Sequence, residues 1–156
     1  MIDDKFLDKW VRIIVPIIYG PNKNPDSGKA ILGIYVITAD EMAAAKKLWF
    51  SDVSEEVRVY GQLIDMGELE SLVGRSGKLD GKYVIRLNAS QSEACGIFTL
   101  AHEIGHLHGL LNEKEKHDLD PDEYADNYAF KRVKDVIEES ELRVKIYTEA
   151  FLTERL

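Results

Sequence analysis

The sequence predicts an α+β fold, in which a short, mainly antiparallel sheet of three to five strands packs on one long helix and two later helices complete the structure. Three patterns indicate this. Segments 30–37, 57–64 and 82–87 are short runs rich in β-forming residues. Apolar residues then recur at three- and four-residue spacing over 94–107, as on one face of a helix. Two further helical patterns fill most of 122–152.

The first third of the chain predicts a helix, a strand and a loop before the sheet. Residues 3–12 have a short helical pattern, and the apolar run 11–19 predicts a strand, so the two predictions overlap. Residues 20–29 contain two prolines and two glycines and predict an exposed loop. A capping box over 38–41 then predicts a helix that continues to about residue 50.

The long helix has its own start and stop signals. Ser90 and Glu93 have the spacing of a capping box, in which the hydroxyl and the carboxylate accept hydrogen bonds from backbone N–H groups. Gly109 is typical of the position that follows a helix C-terminus. Between these signals, the residues expected on the buried face are Ala94, Ile97, Phe98, Ala101, Ile104 and Leu107.

The same helix contains the run H-E-x-x-H at residues 102–106. His102 and His106 lie four residues apart, so one turn of helix brings both imidazoles to the same face, with Glu103 beside them. This arrangement is typical of zinc-dependent hydrolysis, and the predicted cofactor is Zn²⁺. The alternative is an ordinary amphipathic helix with incidental histidines. Gly105 argues against this alternative. Glycine inside a helix costs about 1 kcal/mol relative to alanine, so it usually has a packing or functional reason.

A catalytic zinc site needs a third protein ligand, with the fourth position left open. The next helix start narrows the choice: Asp120 is the expected N-cap, Pro121 the first helical residue, and Glu123 the second partner of a capping box. The candidate ligands after Gly109 are Asn112, Glu113, Glu115, His117, Asp118, Asp120, Asp122, Glu123 and Asp126.

Asp122 has no capping role in this pattern, and Asp126 lies one helical turn further along. Ala125 and Ala129 lie on or near the same face, where their small side chains would let this helix approach the first one closely. Asp122 is therefore the favoured ligand, with Asp126 expected to orient a ligating histidine. Glu123 and Asp126 stay open as rival ligands. An acidic first turn that only favours the helix dipole would also explain Asp122.

Two other histidines lie near the motif in the sequence. His108 follows His106 by two residues and therefore points to the far side of the helix, so we expect it at the surface or behind the site. Residues 102–109 also match the opening of the metzincin pattern, but the position of its third histidine is Asn112 here, which makes that ligation the second choice. His117 is too far along for this spacing and is expected in solvent.

Three stretches resemble the core of the ImmA/IrrE metallopeptidase family. They are 81–88, a strand that ends in Asn88; 98–106, which reads F-T-L-A-H-E-I-G-H; and 122–129, close to the family pattern E-x-x-A-[ND]-x-[FY]-A. The resemblance implies a small zincin-like domain and covers about half of the chain. The first two stretches are specific to the family, and the third is moderately so.

The resemblance also implies roles for individual residues. His102 and His106 match the zinc ligands of the family, Glu103 matches the catalytic base, and Asp122 matches the third ligand. The family has glutamate at that last position, so this chain has a side chain one methylene shorter. The substrate implied by the resemblance is a repressor or another regulatory protein.

Composition limits the class of protein. With 156 residues and 45% hydrophobic content, we expect one domain over 1–156. The single cysteine, Cys95, agrees with a reducing, cytoplasmic location. The apolar run 13–19 is too short to span a bilayer, and we expect no secretory signal and no membrane association. A net charge of −8 disfavours direct binding of nucleic acid, because its phosphates would be repelled.

The predicted function is that of a zinc-dependent endopeptidase acting on a protein substrate. Zinc would lower the pKa of a water, and Glu103 would take its proton and pass it to the leaving amine. Strand 82–87 would bind the substrate backbone if it edges the cleft. The alternatives are a zinc-binding interaction protein that has lost turnover and a structural domain without metal. The sequence does not decide which group would assist zinc in stabilising the oxyanion; the candidates are Tyr83, Tyr124, Tyr128 and His117.

Overall fold

A computed structural model of the chain describes residues 1–16, 19, 31–49, 59–66, 83–112 and 120–152. In these ranges the fold is α+β, as predicted, with a three-stranded sheet and five helices. The elements are α1 (Asp4–Ile14), β1 (Ile31–Ile37), α2 (Ala39–Trp49), β2 (Gly61–Asp65), β3 (Tyr83–Asn88), α3 (Glu93–Leu111), α4 (Pro121–Val136) and α5 (Ser140–Phe151).

The sheet has the strand order β1-β3-β2 and is mixed. β1 pairs with β3 in parallel, with Ile34 opposite Ile85, whereas β2 pairs with β3 in antiparallel orientation, with Leu63 opposite Ile85. The expectation of a mainly antiparallel sheet therefore holds for one of the two described pairings. Substrate binding by strand 82–87 is conditional on this strand edging the cleft, and the condition is not met, because β3 is hydrogen-bonded to a strand on each side.

The first helix extends further than its pattern predicts. The N-cap Asp3 accepts hydrogen bonds from the backbone N–H groups of Lys5 and Phe6, and the helix continues to Ile14. The expected strand over 11–19 is therefore wrong for 11–14. The reason is periodicity, since the buried side chains follow helical spacing: Phe6, Leu7, Trp10, Val11 and Ile14. The helix ends just before Pro16, which disfavours helical conformation in the residue preceding it.

The long helix α3 starts later and ends later than predicted. Its N-cap is Ser92, whose hydroxyl accepts from the N–H of Cys95. Ser90 instead donates both its N–H and its hydroxyl to the side chain of Asn88, so the predicted capping box at Ser90 is wrong. The helix passes Gly109 and ends at Asn112, whose N–H donates to the carbonyl of His108.

The predicted apolar stripe of α3 is buried, but it is only part of the buried surface. Every residue from 94 to 105 is buried, because α3 contacts the sheet, α1, α4 and α5. A helix covered on all sides holds polar residues only where they have a structural or chemical role. The polar residues buried there are Thr99, His102 and Glu103.

The other predicted elements differ from the structure mainly at their ends. The capping box over 38–41 is confirmed: Thr38 Oγ1 accepts from the N–H of Glu41 at 3.1 Å, and a carboxylate oxygen of Glu41 accepts from the N–H of Thr38. Of the expected strand over 57–64, β2 includes 61–64 and extends one residue beyond. The loop predicted over 20–29 lies outside the described residues.

None of the helices that the structure describes is both long enough and apolar enough to cross a membrane.

Candidate metal centre

Helix α4 lies very close to α3 at Gly105. A β-carbon at this position would lie 2.8 Å from both the Cα and the carbonyl oxygen of Ala125, so only glycine fits there without moving the backbone. Ala125 and Ala129 are fully buried at this contact, and the close approach predicted from their small side chains is what the structure has. The glycine inside the helix therefore has a packing reason, and the packing brings the first turns of α4 beside the H-E-x-x-H motif.

Strand β2 approaches α3 from another direction. A β-carbon on Gly61 would lie 2.5 Å from the methyl group of Thr99 and 3.1 Å from Cγ of Glu103. Successive residues of a helix are about 100° apart, so His102 and His106 point between the direction of α4 and that of β2. The two histidines therefore lie on α3 between α4 and β2, and we call this region of the molecule the groove.

The orientation of His102 is set from α4. Its Nδ1 lies 2.7 Å from Oδ1 of Asp126, and a carboxylate can only accept, so Nδ1 carries the hydrogen. The other ring nitrogen, Nε2, is buried and has no hydrogen-bond partner among the residues that the structure describes. It lies 3.6 Å from Oδ1 of Asp122, beyond hydrogen-bond length. A buried imidazole held by a carboxylate on one nitrogen, with the other unsatisfied, is typical of a metal ligand.

Asp122 joins the two histidines. Its Oδ1 also lies 3.1 Å from Nε2 of His106, so one carboxylate oxygen faces both ring nitrogens. In a tetrahedron with zinc–ligand bonds of 2.0–2.1 Å, neighbouring ligand atoms are about 3.4 Å apart. The distances of 3.1 and 3.6 Å lie on either side of this value. The aspartate is thus long enough to reach both histidines, although the family resemblance implies a glutamate at this position.

The charges around these nitrogens favour a cation. Burial, the largest single effect, lowers the pKa of His102, but the carboxylates of Asp122, Asp126 and Glu103 outweigh it and raise this pKa to about 9. His102 and His106 in turn hold the pKa of the Asp122 carboxyl well below its usual range. The groove therefore stabilises positive charge at the point where the two Nε2 atoms and the carboxylate meet, whether a proton or a metal ion supplies it.

Glu103 lies on the side of β2 and is only 3% exposed. One ligand atom from each of His102, Glu103 and His106 can be chosen such that all three lie within 4.8 Å of one another. Glu103 is thus near enough to act on a group held at the histidines, and it is also a rival of Asp122 as a direct ligand. For comparison, Oδ1 of Asp122 lies 3.6 Å from Nε2 of His102 and 3.1 Å from Nε2 of His106.

Residues 32–133 match the family model described as IrrE N-terminal-like domain, a peptidase family. This range includes about two thirds of the chain and every residue of the groove described above. The chain belongs to this IrrE-like peptidase family. No curated protein and no solved structure matches the chain.

Membership of the IrrE-like family confirms the resemblance inferred from residues 81–88, 98–106 and 122–129. It supports a peptidase fold and a metallopeptidase activity class. The candidate ligand cluster lies within the matched range, so family and geometry point to the same groove.

The third histidine of α3 lies outside this groove. His108 points away from His106, as predicted, but it is half-buried and not at the surface. Its Nδ1 lies 2.6 Å from the hydroxyl of Tyr124, and its ring packs against Tyr128 and Tyr19. Tyr124 and Tyr128, two candidates for stabilising an oxyanion, therefore lie beside His108 and not on the flank of α3 that bears His102 and His106.

The remaining candidates for metal binding or oxyanion stabilisation either lie elsewhere in the fold or fall outside the described residues. Asn112, at the metzincin position, caps α3, and its amide donates to the carbonyl of His108. Tyr83 lies in the central strand β3 and is buried. Glu123 lies in the first turn of α4 and is exposed. His117 and the acidic residues from 113 to 118 lie outside the described residues.

Sequence reasoning missed the contribution of β2. The available signal was Gly61, because a glycine inside a strand pattern often marks a place where another part of the chain comes close. Here the neighbour is Glu103. A second missed residue is Gln91, which is buried just before α3 and donates to the carbonyl of Tyr60.

Proposed function

We propose that this protein is a zinc-dependent endopeptidase in which His102, His106 and Asp122 hold the ion and Glu103 is the general base. The observation that carries the proposal is the meeting of two imidazole Nε2 atoms and one carboxylate oxygen in a groove. One of these imidazoles is buried, unsatisfied at Nε2 and oriented by Asp126. Two nitrogens and one carboxylate oxygen form a ligand set that is common in catalytic zinc sites.

Each residue has a distinct part in this proposal. Asp126 accepts from Nδ1–H of His102 and so keeps the lone pair of Nε2 directed into the groove. Asp122 is half-exposed at the start of α4, so it contributes to the site without forming part of the core. When bound, zinc would polarise the substrate carbonyl and make a water more acidic. Glu103 accepts the proton of the attacking water and transfers it to the leaving amine.

The substrate backbone is proposed to bind along β2. Among the described strands β2 lies at the edge of the sheet, and its first residue, Gly61, contacts Glu103. Asn88 N–H donates to the carbonyl of Tyr60, so by antiparallel alternation the backbone groups of Gly61 and Leu63 point away from β3. An extended peptide pairing with these groups would lie above the groove, with a peptide bond near Glu103.

The proposed class of substrate and the proposed cellular location rest on the family resemblance and the composition. We infer a repressor or other regulatory protein as substrate, cleaved in the cytoplasm by a chain that acts as one domain over 1–156. With a net charge of −8, the protein is proposed not to bind nucleic acid directly, so any effect on gene expression runs through a protein substrate.

The variant Glu103→Gln tests the assignment of roles. Protein purified without added metal should contain close to one zinc per chain, and the variant should retain it, because the amide removes a base and not a ligand. Cleavage of unfolded casein by the zinc-loaded wild type should be abolished in the variant, a loss of at least about 100-fold.

The outcomes separate the proposal from its alternatives. Loss of zinc in Glu103→Gln would make Glu103 a ligand, and the assignment of Asp122 would then be wrong. Zinc retention by the wild type without cleavage of any polypeptide tested would favour a metal-binding interaction protein. Absence of bound metal, even after addition of zinc, would favour a structural domain.

A further inference from the structure

Gln91 lies in the short connection between β3 and α3, and all of its amide groups are used. Its Nε2 donates to the carbonyls of Tyr60, at 2.9 Å, and Asn88, at 2.8 Å. Its Oε1 lies 2.9 Å from the hydroxyl of Thr99, whose single hydrogen is shared between Gln91 and the carbonyl of Cys95, also at 2.9 Å. The residue is only 5% exposed, so these bonds are made in a dry environment, where an unmade bond would be costly.

The segment that Gln91 holds leads directly into the edge strand. Asn88 donates its side-chain amide to the carbonyl of Val59, and Gln91 donates to the next carbonyl, that of Tyr60. Two consecutive backbone carbonyls before β2 are therefore bound by side chains from the connection that precedes the active-site helix. This connection fixes the position at which β2 begins.

Thr99 extends the same network onto the face of α3 that bears Glu103. Its hydroxyl contacts Gln91, whereas its methyl group lies 2.5 Å from the position that a β-carbon of Gly61 would occupy, so Thr99 touches both Gln91 and β2. Glu103 follows Thr99 by one helical turn and contacts the same glycine. The network of Gln91 and Thr99 therefore spans the interface between β2 and the general base.

We propose that Gln91 is a positioning residue for catalysis, which together with Thr99 sets the position of β2 relative to Glu103. The inference rests on the proposed function, because it assigns the substrate backbone to β2. Among the described residues, the hydrogen bonds of Gln91 go to Tyr60, Asn88 and Thr99 and reach neither a proposed metal ligand nor α4, so we expect the metal affinity not to depend on Gln91. Its effect is expected on long substrates, which pair with the whole strand, and much less on short ones, which do not.

The first measurement needs no turnover. Gln91→Met and Thr99→Val remove these hydrogen bonds with little change in volume. In both variants, hydrogen exchange in 59–65, read at the amides of Gln62 and Ile64 that point toward β3, should become about tenfold faster. Thr99→Ser retains the hydroxyl and should restore most of the protection. Tyr147→Phe is the matched control, because it removes another hydrogen bond to a backbone carbonyl, that of Phe130, far from β2. It should leave exchange in 59–65 unchanged.

The second measurement uses the zinc-loaded enzyme with casein and with a blocked tripeptide amide. In Gln91→Met and Thr99→Val, kcat/KM for casein should fall by about tenfold, whereas kcat/KM for the tripeptide should change by less than about twofold. Zinc content should equal that of the wild type. A general loss of structure would lower both values together, so the ratio of the two is the diagnostic quantity.

The proposal is overturned if exchange in 59–65 is the same in Gln91→Met, Thr99→Val and wild type, or if casein and tripeptide lose activity by the same factor. If Gln91→Met does not fold, Thr99→Val alone decides. If the wild type cleaves neither substrate, the proposed function fails, and the exchange data still decide whether Gln91 and Thr99 position the strand.

Discussion

The interface between α3 and α4 has two flanks, each with an imidazole from α3 bound to an oxygen from α4. On one flank Nδ1 of His102 lies 2.7 Å from a carboxylate oxygen of Asp126. On the other, Nδ1 of His108 lies 2.6 Å from the hydroxyl of Tyr124. The two contacts are almost equal in length and come from the same two helices, but the chemistry around them is different.

The difference lies in what surrounds the second ring nitrogen. On the first flank the imidazoles of His102 and His106 lie nearly perpendicular, 4.6 Å apart, and share an oxygen of Asp122, so three ligand atoms meet at one point. On the second flank the ring of His108 packs against the aromatic rings of Tyr124 and Tyr128. A carboxylate brings negative charge that favours a cation, whereas a phenol brings a neutral hydroxyl and a large packing surface. We therefore propose metal binding on one flank and packing on the other.

The strongest test of this contrast compares Asp122→Ala with Tyr124→Phe. Asp122→Ala should weaken zinc binding by more than the roughly 10–100-fold typical of residues that only orient a ligand. Tyr124→Phe should change zinc affinity by less than about twofold and cost about 0.5–1.5 kcal/mol of stability, because it removes one hydrogen bond. Competition with a chelator gives the affinities. If Asp122→Ala keeps its zinc while Glu123→Ala or Asp126→Ala loses it, the assignment of ligands on α4 is wrong.

Asp126→Asn should have the next largest effect. The amide has nearly the shape of the carboxylate but no charge, so His102 would be held less firmly in the tautomer that directs the lone pair of Nε2 into the groove. We expect zinc affinity to fall by about 10–100-fold, with the fold retained. Circular dichroism provides the control for folding. An unchanged affinity would show that Asp126 does not orient a ligand.

The sequence predicted this flank well because its signals are local. The spacing of His102 and His106 sets their common face, and the Asp120 cap, whose carboxylate accepts from the N–H of Asp122, places Asp122 in the first turn of α4. The start of α3 was predicted wrongly for an equally local reason. Ser90 has the spacing of a cap, but the neighbouring side chain of Asn88 binds it, and Ser92 caps the helix instead.

The other wall of the groove could not be predicted in this way. Whether strand 82–87 is central or at the edge depends on which strands pair with it, and β1 and β2 lie far from it in sequence. The hydrogen bond from Gln91 to the carbonyl of Tyr60 joins residues 31 positions apart, and no periodic pattern encodes such a contact. The surroundings of His108 also depend on a contact between residues far apart in sequence, because Tyr19, near the start of the chain, packs against its ring.

Both flanks depend on the close approach of the helices, and two glycines of α3 test this dependence. Gly105→Ala should cost about 1–2 kcal/mol, because the new methyl group meets the backbone of Ala125 and overpacking outweighs the gain in helix propensity. Gly109→Ala is the matched variant: its methyl group would meet only the ring of Tyr124, at 3.2 Å, which can shift. It should be close to neutral or stabilising by up to about 1 kcal/mol.

Urea denaturation of the two alanine variants measures these free energies. Gly105→Ala should also weaken zinc binding, because moving α4 outward moves Asp122 and Asp126 away from the histidines. Equal stability of the two variants, or full zinc affinity in Gly105→Ala, would show that α4 has room to move without consequence for the site.

The smallest expected effect concerns the tyrosine flank at high pH. Burial, with help from neighbouring Tyr19 and against the opposing charge of Arg132, raises the pKa of Tyr128 from 10.0 to about 12. Between these values the folded protein keeps a proton that the unfolded chain has lost, so the free energy of unfolding must fall as pH rises. The stability that Tyr128 contributes is thus fully present below pH 10 and is lost as the pH approaches 12. Because the side chain is only half-buried, solvent reduces the effect.

Urea denaturation of metal-free wild type and Tyr128→Phe at pH 9, 10, 11 and 12 measures this effect. The free energy of unfolding should decline less with pH in the variant, since phenylalanine has no proton to lose. An identical decline would mean that Tyr128 titrates alike in the folded and unfolded states and that the flank is open to water.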